Sequence, residues 1–228
     1  MTTDRRRLRA MSKRLERAFG PLEPPRVTDP LDELIWTVLS QHTSDLNAER
    51  AFRALRDAYP DWDAVVAAEP AALAAVIRSG GLANTKAPRI QAILREILER
   101  EGRFDLSVLH ELDDGAARAY LISLPGVGPK TAAVVMAFAL ERDAIPVDTH
   151  VHRVSRRLGL IPPKASAERA HDLLHDLVPD ELKTPLHVGL IRLGREVCKA
   201  QQPRCDECPL ADLCPTAPSV LGLRDQER

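Results

Sequence analysis

The sequence predicts an all-α fold, and three observations carry that reading. Apolar residues recur at three- and four-residue spacing through nearly every segment, as in helices that bury one face. Helix start and stop residues, such as Asp29-Pro30, Ser166, Gly102 and Gly159, bracket those segments. No run alternates apolar and polar residues as a half-buried strand does. With 228 residues, 44% of them hydrophobic, the chain is long enough for one large domain or two modest ones with a real core.

Taken in order, the first twenty residues form a basic amphipathic helix with Leu8, Met11, Leu15 and Phe19 on one side. Its arginines read as a solvated face. Gly20 to Pro30 is a proline-rich connection. Asp29 is an N-cap followed by proline at the first helical position, and Leu31, Leu34, Ile35, Val38 and Leu39 follow at helical spacing. Ser40-Gln41-His42-Thr43-Ser44 is a polar break. The next helix is expected from about Asp45 to Tyr59 with Leu46, Phe52 and Leu55 inward. Asp61-Trp62 opens a short helix, and Pro70 opens another that ends at Gly80-Gly81. Leu82 to Thr85 reads as a loop. A long helix with Ile90, Ile93, Leu94 and Ile97 inward ends at Gly102, and Leu106 and Leu109 mark one more short helix.

Leu124-Pro125-Gly126-Val127-Gly128-Pro129-Lys130-Thr131 is helix, stop, tight turn, helix. Pro125 removes a backbone donor and halts the first helix. Gly126 and Gly128 permit positive φ and leave no side chain over the turn. Pro129 suits the first position of the second helix. The backbone N–H groups of such a turn point outward at the positive end of a helix dipole, which makes a site for an anion such as a phosphate. Lys130 follows in the first helical turn, where the dipole and burial both disfavour an ammonium. A neutral amine there is ready to attack carbon.

Beyond a short connection over Arg142 to Val147, Asp148 caps a helix with Val151, Val154 and Leu158 inward. Ser166 caps the next. Thr184-Pro185 is expected to start the last, with Leu186, Leu190, Leu193 and Val197 on one stripe and Gly189 and Gly194 admitting a close neighbour.

Composition limits the function. The formal net charge is −1, so contact with DNA must come from local basic clusters and backbone amides rather than from a global field. No apolar run approaches a membrane span, and Arg5-Arg6-Arg7 is not followed by a signal-peptide core. A soluble, cytoplasmic protein is expected. The four cysteines, Cys198, Cys205, Cys208 and Cys214, are clustered, which in a cytosolic chain suggests a metal or cluster site rather than disulfides. Spacing alone leaves zinc and a [4Fe–4S] cluster both open.

The glycine turn with Lys130, the segment Val147-Asp148-Thr149-His150 and the Cys-x6-Cys-x2-Cys-x5-Cys spacing together resemble the endonuclease III family, helix-hairpin-helix DNA glycosylases with AP-lyase activity and an iron–sulfur cluster. The resemblance runs from about Pro30 to Cys214. It implies a six-helix barrel over residues 28–142, with the helix-hairpin-helix at about 116–140. Residues 1–27 and 143–228 would form a cluster domain, with the catalytic groups in a cleft between the two. Lys130 matches the family's nucleophile, which forms a Schiff base with the sugar C1′ and leads to β-elimination. Asp148 matches its catalytic carboxylate, and backbone donors at a helix cap would keep it ionised. The cysteines become ligands of a [4Fe–4S] cluster.

Further site residues follow from the same resemblance. Gly126, Val127 and Gly128 would hold phosphate. Gln41 and Leu82 sit in loops that resemble the family's DNA-inserting loops, where an amide pairs with a base edge and a leucine wedges between bases. Asn84 and Lys86 lie close by as candidate phosphate contacts, and Lys199 and Arg204 on the cysteine loop are others. His42, Thr43, Asp45, Ile122 and His150 are candidates for the base pocket. The expected partner is double-stranded DNA with a damaged base or abasic site, acted on by a nucleoid-associated monomer.

The departures concern substrate range. Pro129 stands where many bacterial members carry arginine, Ile122 where some relatives are acidic, and Gln41-His42-Thr43-Ser44 differs from Gln-Ala-Thr-Asp. The leading reading is a bifunctional glycosylase for oxidised pyrimidines. The competitors are a monofunctional adenine- or alkylbase-type glycosylase and a non-catalytic DNA-binding iron–sulfur protein.

Overall fold

The computed structural model describes residues 3–22 and 29–222; residues 23–28 of the proline-rich connection lie outside them. Among the described residues there are helices and no strand. In chain order they are α1 (Thr3–Phe19), α2 (Pro30–Ser40), α3 (Asp45–Ala58), α4 (Trp62–Ala67), α5 (Pro70–Val76), α6 (Ala83–Glu101) and α7 (Val108–Glu111). Then follow α8 (Asp114–Ser123), α9 (Pro129–Phe138), α10 (Thr149–Arg157), α11 (Ala167–Leu177), α12 (Asp180–Glu196) and α13 (Ala217–Val220). The chain divides into two compact units, Val27–Arg142 and Met1–Arg26 with Asp143–Arg228.

The unit of residues 27–142 carries α2 to α9. Asp29 caps α2 by accepting from the Leu31 and Asp32 N–H groups, and Pro30 follows as the first helical residue. Replacing such a cap by alanine typically costs about 1 kcal/mol. Helix α2 packs on α3 and α9, and α5 packs on α6. Leu34, Ile35, Val38, Leu55, Leu73, Ile90, Leu94 and Leu121 are all fully buried. Helix α9 is buried on nearly every side from Thr131 to Phe138, so the hairpin that feeds it is fixed by packing as well as by its turn.

In the other unit, α12 packs on α1 and α10. Leu8, Met11 and Leu15 of α1 share a core with Val151, Val154, Leu186, Leu190 and Leu193. The contact needs glycine at Gly189, where a Cβ would sit 2.9 Å from Leu15 Cδ1.

Three expectations are corrected here. Helix α6 starts at Ala83, so Asn84 and Thr85 lie in its first turn and not in a loop. Helix α12 starts at Asp180 and carries Pro185 inside it. A proline in the second turn forfeits one bond, to the Glu181 carbonyl, and packing of the rest of the helix tolerates that. Leu46 is 61% exposed and does not face the core.

Candidate DNA-binding and catalytic site

The hairpin turn is built as follows. Helix α8 ends at Ser123, and Leu124, ahead of Pro125, is extended with ψ 146°. Gly126 has φ +72°, a conformation that favours glycine, and a Cβ there would also push on the Arg89 side chain, whose Nε would lie 2.7 Å away. Gly128 is different and corrects the expectation of positive φ at both glycines. Its φ is −101°, a conformation open to any residue. A Cβ there would meet nothing within 4 Å. Nothing inside the protein requires that bareness. It leaves the turn open to a group arriving from outside.

The N–H groups of Gly126 and Gly128 make no hydrogen bond among the described residues. Val127 is the exception among the three turn residues expected to hold phosphate. Its N–H donates to the Leu124 carbonyl at 3.1 Å and its side chain is buried, so its amide serves the turn itself. Lys130 is the second residue of α9 and half-buried. Ile122, half-buried, lies near the end of α8.

Two loops of the same unit lie side by side. In the first, Gln41 is half-buried and held from three directions. Its carbonyl accepts from Lys86 Nζ at 2.6 Å, its Oε1 accepts from Arg89 Nη1 at 3.0 Å, and its Nε2 donates to Thr131 Oγ1 at 3.4 Å. Arginine only donates, so the amide orientation is fixed. His42 is exposed with φ +55°, Thr43 is half-buried and Asp45 is exposed at the start of α3. In the second loop Leu82 has φ +49° and is 58% exposed. It occupies the N-cap of α6 yet offers no side-chain acceptor. Left-handed backbone at a non-glycine residue costs on the order of 1 kcal/mol, and an apolar N-cap forgoes roughly another. An exposed leucine at such a position does nothing for folding. Asn84 is exposed one residue into α6.

Lys86 corrects the expectation of a phosphate contact. It is 2% exposed. Its ammonium donates to the carbonyls of Leu39, Gln41 and Gly80 at 2.7, 2.6 and 2.7 Å. Burial, and secondly the charge of Arg89, lower its pKa to about 8. An amine enclosed by three carbonyls cannot reach a DNA backbone.

In the other unit Asp148 is the N-cap of α10 and accepts from the Val151 N–H at 2.7 Å. His150 is half-buried; Arg153 Nη2 lies 3.2 Å from its Nδ1, and its Cβ packs where a Cβ on Gly194 would come within 2.9 Å. The four cysteines line one cavity together with Arg157 and Leu193. Burial raises the thiol pKa of Cys208 to about 11. Burial first, and then its cysteine neighbours, also raise that of Cys205. Four thiolates this close repel, and a cationic centre that takes all four relieves them. Among the described residues no three His, Cys, Asp or Glu side chains are placed to hold a single metal ion. A void ringed by thiols fits a cluster better than one zinc ion.

The cysteine loop is held by arginines. Arg157 Nη1 donates to Cys198 Sγ at 3.3 Å and to the Lys199 carbonyl at 2.7 Å, while Nη2 donates to the Ala200 carbonyl at 2.7 Å. Arg204 donates to the Glu196 carbonyl and pairs with Glu207 at 2.6 Å; Lys199 is exposed.

Sequence reasoning missed Arg89, Thr131 and Arg157. The one available signal was Lys86 and Arg89 three residues apart near the start of α6, where the dipole disfavours cations.

A bare glycine hairpin opening a buried helix, in an all-helical chain with a four-cysteine loop, defines a helix-hairpin-helix protein with an iron–sulfur segment. Residues 35–180 match the family model described as HhH-GPD superfamily base excision DNA repair protein, and residues 198–214 match the iron–sulfur binding domain of endonuclease III. Endonuclease III of Thermotoga maritima is 38% identical over 187 residues, covering 82% of this chain and 83% of that protein. The Escherichia coli enzyme of the same name is 34% identical over 217 residues, covering 92% and 94%. A solved non-covalent endonuclease III–DNA complex matches with TM-score 0.82 and 33% identity, over 97% of this chain and 100% of that one. A trapped endonuclease III–DNA covalent intermediate matches with TM-score 0.80 and 32% identity, over the same shares. The chain belongs to the endonuclease III family, and its cofactor is the [4Fe–4S] cluster. No helix among the described residues is long and apolar enough to cross a membrane.

Proposed function

We propose that the protein is a bifunctional DNA glycosylase and AP lyase that removes oxidised pyrimidines from duplex DNA and acts as a monomer. The observation that carries this reading is the pairing of Lys130 with an open glycine turn. Gly126 and Gly128 present unpaired N–H groups to a phosphate, and the amine follows two residues later, in the first turn of α9.

The nucleotide is rotated out of the stack first, since C1′ is shielded inside the duplex. Leu82 wedges into the gap and Gln41 addresses the orphaned base. The neutral Lys130 amine forms a bond to C1′ as the glycosidic C1′–N bond breaks, and the base leaves with the electron pair and takes up a proton. The Asp148 carboxylate, which accepts from the Val151 N–H, stabilises the positive character that develops on the sugar. Opening of the sugar ring gives the Schiff base. Loss of a proton from C2′ then breaks the C3′–O bond, and water releases the lysine. The cluster, bound by Cys198, Cys205, Cys208 and Cys214, supplies a structural centre for its loop. His42, Thr43, Asp45, Ile122 and His150 border the base pocket in this reading, and Lys199 and Asn84 contact backbone phosphate.

The test is a duplex with a single oxidised pyrimidine. The expected products are the free base and a nick 3′ to the lesion that ends in an unsaturated aldehyde. Base release with an intact strand would instead support a monofunctional glycosylase, and binding without either product a non-catalytic protein. Asp148→Asn is expected to lower base release about 100-fold or more, within the range for loss of an electrostatic stabiliser.

A further inference from the structure

We infer that Lys86 is a positioning residue for the reaction: its buried ammonium clasps the Gln41 loop to the Leu82 loop and sets both for entry into DNA. This rests on the proposed insertion of those loops.

The three carbonyls around Nζ belong to Leu39, at the end of α2, to Gln41 itself, and to Gly80, two residues before Leu82. An ammonium has three donors, and here three acceptors at 2.6–2.7 Å use all of them. Two of the acceptors are on one loop and its helix, and the third is on the other loop. Lys86 is therefore the polar link between the tips, and it stands on α6, the helix that Leu82 caps. The backbones approach beside it: a Cβ added at Gly81 would only just come into contact with the His42 carbonyl, at 4.0 Å. Both tips hold a non-glycine residue at positive φ, His42 at +55° and Leu82 at +49°. Such conformations persist only where the surroundings over-determine them. The clasp, one turn from Leu82 and bonded to the residue before His42, supplies that determination.

An apolar side chain does not substitute. Methionine fills the space but leaves three buried carbonyls without donors. Arginine keeps the charge and offers donors to the same cage.

The experiment uses the holoenzyme and a duplex carrying a tetrahydrofuran abasic analogue opposite 2-aminopurine, whose fluorescence reports unstacking of the orphaned base. Wild type is expected to change the fluorescence on binding. Lys86→Met is expected to bind the duplex within about fivefold of wild type yet lose at least tenfold in the rate or amplitude of the change, and Lys86→Arg to recover most of it. A Lys86→Met protein that binds and unstacks like wild type overturns the clasp. Wild type that binds without a fluorescence change overturns loop insertion, and the clasp with it. Hydrogen exchange on wild type covers the case in which Lys86→Met does not fold. Residues 40–44 and 78–82 are expected to exchange as one unit, and exchange rates for the two segments that respond independently to denaturant overturn the proposal.

Discussion

The hairpin turn and the cysteine loop are both short, irregular and functional, yet they are held in opposite ways. The hairpin is set by what surrounds it: α9 is buried from Thr131 to Phe138, and the Arg89 side chain lies beside Gly126. Two of its backbone donors, the N–H groups of Gly126 and Gly128, are left unspent. The cysteine loop anchors Leu210 in the core and ties several of its carbonyls to arginines from outside it: Arg157 takes those of Lys199 and Ala200, and Arg14 takes that of Pro209 while pairing with Asp212. A hairpin framed by buried helices can leave backbone donors for a ligand; a loop anchored at Leu210 is held further by arginines from elsewhere and by its cofactor.

The largest expected effect is loss of the cluster. Cys208→Ser is expected to give iron-poor protein, destabilised by more than about 4 kcal/mol. Limited proteolysis should then cut within residues 198–214 while the hairpin stays protected. Equal cutting at both regions would break the contrast. Gly126→Ala comes next. Positive φ and the contact with Arg89 together predict a loss of about 2–3 kcal/mol in denaturant unfolding, with weaker DNA binding beside it.

Gly128→Ala sharpens the contrast between the two glycines of one turn. Stability should stay within about 0.5 kcal/mol, while affinity for abasic duplex falls about tenfold, or 1.4 kcal/mol. A destabilised but fully binding variant would show that Gly128 serves the fold. A pH effect concerns Lys86, whose folded pKa of about 8 lies below the ordinary lysine value. The unfolded chain holds that proton to near pH 10.4, so between about pH 8 and 10 it binds more protons than the folded one. Stability from this group therefore rises with pH across that window. Lys86→Arg should flatten the rise in urea titrations run at each pH.

Much of the fold was legible because helix caps are local. Asp29, Asp61, Asp148 and Ser166 read as starts in the sequence, and each accepts backbone N–H bonds at a helix N-terminus. The start of α6 was hidden because Leu82 is no capping residue. Pro185 misled because proline suits a first turn, although Asp180 and Glu181 carried the acidic signal five and four residues earlier. Leu46 was grouped with Phe52, yet six residues are about 1.7 turns and fall on different faces. The hairpin and the cysteines were legible as contiguous motifs. Lys86 was not, because its acceptors come from positions 39, 41 and 80, and no local pattern states that three carbonyls will converge.

The most direct measurement of the central claim is borohydride reduction of the protein mixed with abasic-site duplex. Wild type should give a covalent protein–DNA adduct on a denaturing gel, and Lys130→Ala should give none while still shifting the duplex in a native gel. An adduct of undiminished yield from Lys130→Ala, or no adduct from wild type, would contradict the assignment of Lys130 as the nucleophile.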